Sequence, residues 1–126
     1  VLLVDDDAEL ANVTTALLEA HDAQVVHAAD ADAALALLRA GGNFEVVLSD
    51  VVMPGTMDGL ALAHEVRRSW PALPVVLISG HVGYAAQRQR DADEFPLLRK
   101  PCTPHTMLVA LREAIDGQGA ALNAGA

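Results

Sequence analysis

Cysteine, aromatic and basic side chains are all scarce in this chain, and each scarcity excludes something. A single cysteine, Cys102, rules out an internal disulfide. That suits a reducing compartment, and a cytoplasmic location is the expectation. Aromatic residues make up 3% of the chain while 52% is hydrophobic, so the core has to be built from Leu, Val and Ala. Eight basic residues face seventeen acidic ones, for a net charge of −9. A surface of that sign repels nucleic acid phosphates and anionic membranes, and favours small cations and basic protein surfaces. Long apolar runs are missing too. None approaches the roughly 20 residues that cross a bilayer, and no signal peptide is visible. The chain opens on Val1, directly at a strand-like run, which is expected of a piece cut from a longer protein.

What is present is an alternation of short aliphatic runs with longer helical patterns. With 126 residues the chain suits one domain, expected over 1–117, with 118–126 as a Gly/Ala-rich flexible tail or linker. Strands are expected at 1–4, 24–28, 46–49, 74–78 and 95–99. Helices are expected at 8–20, 31–40, 58–69 and 104–116, with a thinner one at 82–92 that contains Gly83. Leu10, Val13 and Leu17 form the inward stripe expected of the first helix. Leu35 and Leu38 play that part in the second, Leu62 and Val66 in the third, and Leu108, Leu111 and Ile115 in the last. Gly41 can stop the second helix, while Asp58 and Thr103 can cap the starts of the third and last. Near-continuous apolar strands alternating with helices indicate a parallel sheet covered on both faces. Such sheets bind ligands outside the carboxyl ends of their strands.

Three of those strand-like runs end in charge. Val1–Val4 leads into Asp5, Asp6 and Asp7, Val46–Ser49 into Asp50, and Phe95–Arg99 into Lys100. The fourth strand ends in Ser79, followed by Gly80. If the first and third strands are neighbours, about 4.8 Å apart, their carboxylates crowd into one pocket. Like charges that close need neutralising, and a hard divalent cation such as Mg²⁺ does it with oxygen ligands. A lysine and a hydroxyl at the adjoining edges complete a set suited to phosphoryl transfer, in which positioning and charge stabilisation do most of the work. In that set Asp50 is the nucleophile, Lys100 holds phosphoryl oxygens and Ser79 donates a hydrogen bond to one.

In this order and spacing, VLLVDDD, VVLSDVVMPG, MDGL, PVVLISG and RKP resemble the receiver domain of bacterial two-component response regulators over about residues 1–117. The stretch from Met53 to His81 is particularly similar to receivers of hybrid sensor histidine kinases. The resemblance implies a doubly wound, flavodoxin-like α/β fold, with a five-stranded parallel sheet of order 2-1-3-4-5 and helices on both faces. It implies that Asp50 is the phospho-acceptor and modified residue, and that Asp6 is the direct Mg²⁺ ligand, with Asp5 acting through water. The Val52 carbonyl would complete the metal site, and Ser79 and Lys100 would bind the phosphoryl group. Gly80 would keep the pocket mouth open. A cis bond at Lys100-Pro101 is implied as well. The implied partner is a histidine kinase or histidine phosphotransfer domain, with no nucleic acid or membrane contact through this domain. Two positions depart from the family pattern. Leu97 stands where many receivers carry Tyr or Phe, and Asp91-Ala92-Asp93 replaces a common Gly-Ala pair.

The remaining candidates have plainer readings. His21, His27, His64, His81 and His105 show no metal-ligand spacing and suit surface or edge positions. His81 is near enough to Ser79 to tune phosphate lifetime. Cys102 and Met53 suit packing, and Asp7 suits a helix cap. A phosphohydrolase working through an aspartyl phosphate would need a second aspartate two residues after Asp50, where this chain has Val52. A pseudo-receiver that only binds protein would be expected to lack Asp50, an acidic partner or Lys100, and all three are present.

Overall fold

The computed structural model describes residues 1–51, 58–79, 97–99 and 103–124, and for Ser79, Arg99 and 117–124 the backbone alone. Five strands form one sheet: β1 (Leu2–Val4), β2 (Val26–Ala28), β3 (Val47–Asp50), β4 (Val75–Ser79) and β5 (Leu97–Arg99). Their order is β2-β1-β3-β4-β5 and every pairing is parallel. The chain turns one way from β1 to β2 and the other way to β3, so the topological switch point lies between β1 and β3. All strands point their carboxyl ends at the same edge.

Four helices are described: α1 (Ala8–Glu19), α2 (Ala31–Arg39), α3 (Gly59–Ser69) and α4 (Pro104–Ala124). Each begins where a side chain can accept a free backbone N–H. Asp7 accepts from Leu10, Asp30 from Ala33, Asp58 from Ala61 and Thr103 from Thr106. Such caps are each worth about 1 kcal/mol. Helix α2 stops as expected at Gly41, whose φ of 89° is the left-handed value glycine takes without strain. The amides of Gly41 and Gly42 return to the Leu38 and Leu37 carbonyls, closing a Schellman turn.

Alternation along the strands splits the core in two. Leu2, Val4, Val47, Val75 and Leu77 face α2 and α3, where Leu35, Leu38, Leu62 and Val66 meet them. Leu3, Leu48, Val76 and Ile78 face Ala11, Leu18, Met107 and Leu111 on α1 and α4. The sheet is therefore covered on both faces by aliphatic side chains, each fully buried one contributing about 1.5–3 kcal/mol.

Two expectations differ from what is found. Leu10, Val13 and Leu17 do not face inward; they are 37%, 56% and 38% exposed, and α1 buries Ala11, Thr14 and Leu18 instead. Both sets recur at helical spacing, offset by one residue or roughly 100°. The set with two small members lets α1 settle close to the sheet. The last helix also runs beyond its expected end at 116, with helical backbone to Ala124 through most of the stretch expected as a flexible tail or linker. Alanine and leucine hold helical geometry well enough to outweigh Gly117 and Gly119 locally. The expected helix at 82–92, with Gly80, His81, Asp91-Ala92-Asp93 and Phe95, lies outside the described residues. So do Val52, Met53, Lys100, Pro101 and Cys102.

Candidate functional site

Register sets the site. Val4 of β1 pairs with Ser49 of β3, so Asp5 and Asp50, each one residue further on, leave the sheet side by side. Asp50 is opposite Ile78, which brings Ser79 just past it on β4. Ser79 is in turn opposite Arg99 on β5, the residue before Lys100. The switch point thus carries the acidic residues, and the β4 strand end beside it carries residue Ser79.

Carboxylate oxygens of Asp5, Asp6 and Asp50 lie within 4.8 Å of one another. Asp5 is 4% exposed, Asp50 is half-buried and Asp6 is open to solvent. At an effective dielectric near 20, two carboxylates at such a separation repel by about 3 kcal/mol. Three hard oxygen donors under that repulsion suit Mg²⁺ or a similar cation, which prefers carboxylate oxygens and keeps waters. The donor set therefore fits the metal that the sequence implies.

Local bonding holds the cluster in place. The buried Asp5 accepts the Asp7 N–H at Oδ1 over 2.9 Å, which turns the chain into α1. Its own N–H donates to the Ala28 carbonyl over 3.1 Å, extending the β1–β2 ladder by one residue. Its carbonyl oxygen accepts from His27 Nε2 at 2.8 Å. On β3, the fully buried Ser49 donates its Oγ hydrogen to the Asp50 carbonyl over 3.0 Å. Val51 donates its N–H to Ile78, and its carbonyl accepts the Gly59 N–H over 2.8 Å. The start of α3 thereby comes down onto the backbone that carries Asp50. A Cβ at residue 59 would collide with the Asp50 carbonyl and lie 2.8 Å from the Val51 Cα.

Of the expected site residues, Asp5, Asp6 and Asp50 come together, and Ser79 is at the adjoining strand end. Val52, Gly80 and Lys100, with the Lys100-Pro101 bond, lie outside the described residues. Two contributors escaped sequence reasoning. Gly59 was visible only as part of the MDGL motif, next to the helix cap. His27 stands on the exposed edge strand, as expected of a scattered histidine, yet its ring reaches Asp5.

Residues 1–112 match the family described as response regulator receiver domain. The chain is 44% identical over 124 residues to the response regulator protein FleR of Pseudomonas aeruginosa, covering 94% of this chain and 25% of that protein. It is 32% identical over 120 residues to the sensor kinase CckA of Brucella abortus, covering 94% of this chain and 13% of that one. The chain thus spans a quarter or less of the length of these relatives. Among solved structures it is similar to the receiver domain of NtrX from Brucella abortus, with a TM-score of 0.81 and 28% identity over 91% of this chain and 97% of the other.

Proposed function

This chain belongs to the response regulator receiver domain family of two-component signalling, and we propose that it takes a phosphoryl group from a phosphohistidine onto Asp50. The observation that carries this is the meeting of three carboxylates at the switch-point edge, with Asp50 half-buried among them. An Asp50 oxygen attacks phosphorus, the bond between phosphorus and the donor imidazole breaks, and an aspartyl phosphate forms. Asp6 and Asp50 would hold Mg²⁺ directly, with the Val52 carbonyl, and Asp5 would act through water. When bound, the ion offsets the carboxylate charge and shares phosphoryl oxygens.

Asp5 and Asp6 hold the negative field that recruits the cation and keep it beside the nucleophile. Lys100 balances the phosphoryl charge from the β5 side, Ser79 donates to a phosphoryl oxygen, and Gly80 leaves the mouth of the pocket open. Movement of Ser79 toward the new group shifts the face around β4 and β5. Leu97 packs with the α2–α3 side of the core, so an aliphatic side chain occupies the place where many relatives carry an aromatic switch. Slow hydrolysis of the acyl phosphate resets the domain.

The donor is a histidine kinase or a phosphotransfer domain, and its surface has to cover this edge to bring phosphohistidine to Asp50. Leu10, Val13 and Leu17 lie exposed along α1, starting one turn from Asp7. That stripe is the docking face for the helix bearing the donor histidine. The parent protein is a cytoplasmic-facing hybrid kinase with this receiver over about 1–117. The 32% identity to a sensor kinase is in line with that parentage, while the 44% identity to FleR gives a response regulator protein as the other parentage.

Incubation with Mg²⁺ and acetyl phosphate, followed by intact mass, tests the proposal. One Mg²⁺-dependent phosphoryl group on the wild type and none on Asp50→Ala is the expected result. No adduct, together with no Mg²⁺-dependent spectral response to beryllofluoride, would instead make the domain a protein-binding pseudo-receiver.

A further inference from the structure

His27 is on the edge strand β2, in register with Leu3 of β1. Its ring reaches along the strand end so that Nε2 lies 2.8 Å from the carbonyl oxygen of Asp5, 22 residues away in sequence. A carbonyl can only accept, so Nε2 carries the hydrogen and donates it. The consequence falls on the next residue. A peptide unit is planar, so fixing the direction of the Asp5 carbonyl also fixes the Asp6 nitrogen and Cα. Asp6 is the solvent-open member of the acidic cluster, with little packing around it to orient its carboxylate. The ladder bond from Asp5 N–H to Ala28 and the turn bond from Asp7 N–H to Asp5 Oδ1 hold the two sides of that peptide unit. The bond from His27 acts on the unit itself.

We propose that His27 is a positioning residue for the metal edge, aiming the Asp6 carboxylate through the Asp5–Asp6 peptide. This rests on the reading of Asp6 and Asp50 as Mg²⁺ ligands. His27 touches neither the ion nor the phosphoryl group; it lowers the freedom Asp6 would otherwise lose on binding. Hydrogen-bond partners behind metal ligands typically matter about 10–100-fold in affinity, and action through one main-chain bond belongs at the low end of that range.

The test compares wild type with His27→Leu, which keeps bulk and loses the donor, and His27→Gln, which keeps an N–H on a side chain of similar reach. Mg²⁺ affinity is measured by calorimetry, the Asp6 amide is followed by NMR in metal-free protein, and thermal midpoints check folding. His27→Leu is expected to bind Mg²⁺ about tenfold more weakly and to shift the metal-free Asp6 amide. His27→Gln should recover most of the affinity, with both midpoints close to wild type. Wild-type affinity in His27→Leu, or equal losses in both variants, would overturn the inference. An Asp6→Asn control separates the two levels. If wild type binds no Mg²⁺, or Asp6→Asn binds it equally well, the ligand reading falls and takes this inference with it. If Asp6→Asn abolishes binding while His27→Leu leaves it intact, only the role of His27 falls.

Discussion

A methyl group on Gly59 would occupy space already held by the Asp50 carbonyl, and the Gly59 N–H donates to the Val51 carbonyl. The Asp50 backbone and the first residue of α3 are therefore in direct contact, and Gly59→Ala must push one away from the other. Since the obstacle is backbone, no rotamer change relieves it. Overpacking of this kind costs about 1–3 kcal/mol, and here the displacement falls on the backbone that carries Asp50, the proposed phospho-acceptor. Gly59→Ala is expected to lower the urea midpoint and also to slow phosphorylation by acetyl phosphate at temperatures where the variant is folded. A variant that loses stability but is phosphorylated at the wild-type rate would show that α3 yields and Asp50 does not. Ser49 holds the same backbone, with its hydroxyl donating to the Asp50 carbonyl.

Helix α1 shows how an element divides its apolar residues between folding and display. Ala11 and Leu18 settle against the sheet and α4 and Thr14 is buried, while Leu10, Val13 and Leu17 remain at the surface. Val13 is the most exposed of the three, so Val13→Glu should leave the thermal midpoint nearly unchanged. If the stripe receives the donor helix, the same change should slow transfer from a phosphorylated kinase or phosphotransfer domain by about five- to thirtyfold, as loss of a central interface anchor costs about 1–2 kcal/mol. Phosphorylation by acetyl phosphate, which needs no docking, should be unaffected. Equal slowing with both donors would place the effect inside the domain and not at an interface. The two stripes of α1 also explain what the sequence made legible. Strand positions, helix caps and the three acidic residues at the strand ends could be read locally, because each is a short run of one chemistry next to its punctuation. Which apolar set of α1 faces inward depends on how closely a neighbouring layer approaches, and no periodicity carries that. The contact from His27 to Asp5 joins separate strands and likewise leaves no local trace.

For the whole molecule, the net charge of −9 and the acidic cluster make opposite demands. Charge of one sign spread over the surface opposes compaction, and salt screens it without regard to ion identity. The repulsion among Asp5, Asp6 and Asp50 is local, and relief of it calls for a cation held between them. The two contributions separate in a melting experiment. A site-bound ion stabilises only the folded chain, by about 1.4 kcal/mol at ten times its dissociation constant. For a domain of this size that is an upward shift of about 5 °C. Mg²⁺ is expected to raise the thermal midpoint by that amount beyond the rise given by NaCl at matched ionic strength. The excess should disappear in Asp6→Asn, in which the cluster loses one of its carboxylates. Asp6→Asn should itself melt at or above the wild-type midpoint in metal-free buffer, because it removes one of the repelling charges. That pairing of greater intrinsic stability with lost Mg²⁺ response is what a site built for a cation requires. If Mg²⁺ and NaCl shift both proteins alike, the cluster is only part of the diffuse surface charge, and the stability it gives up supports no metal site.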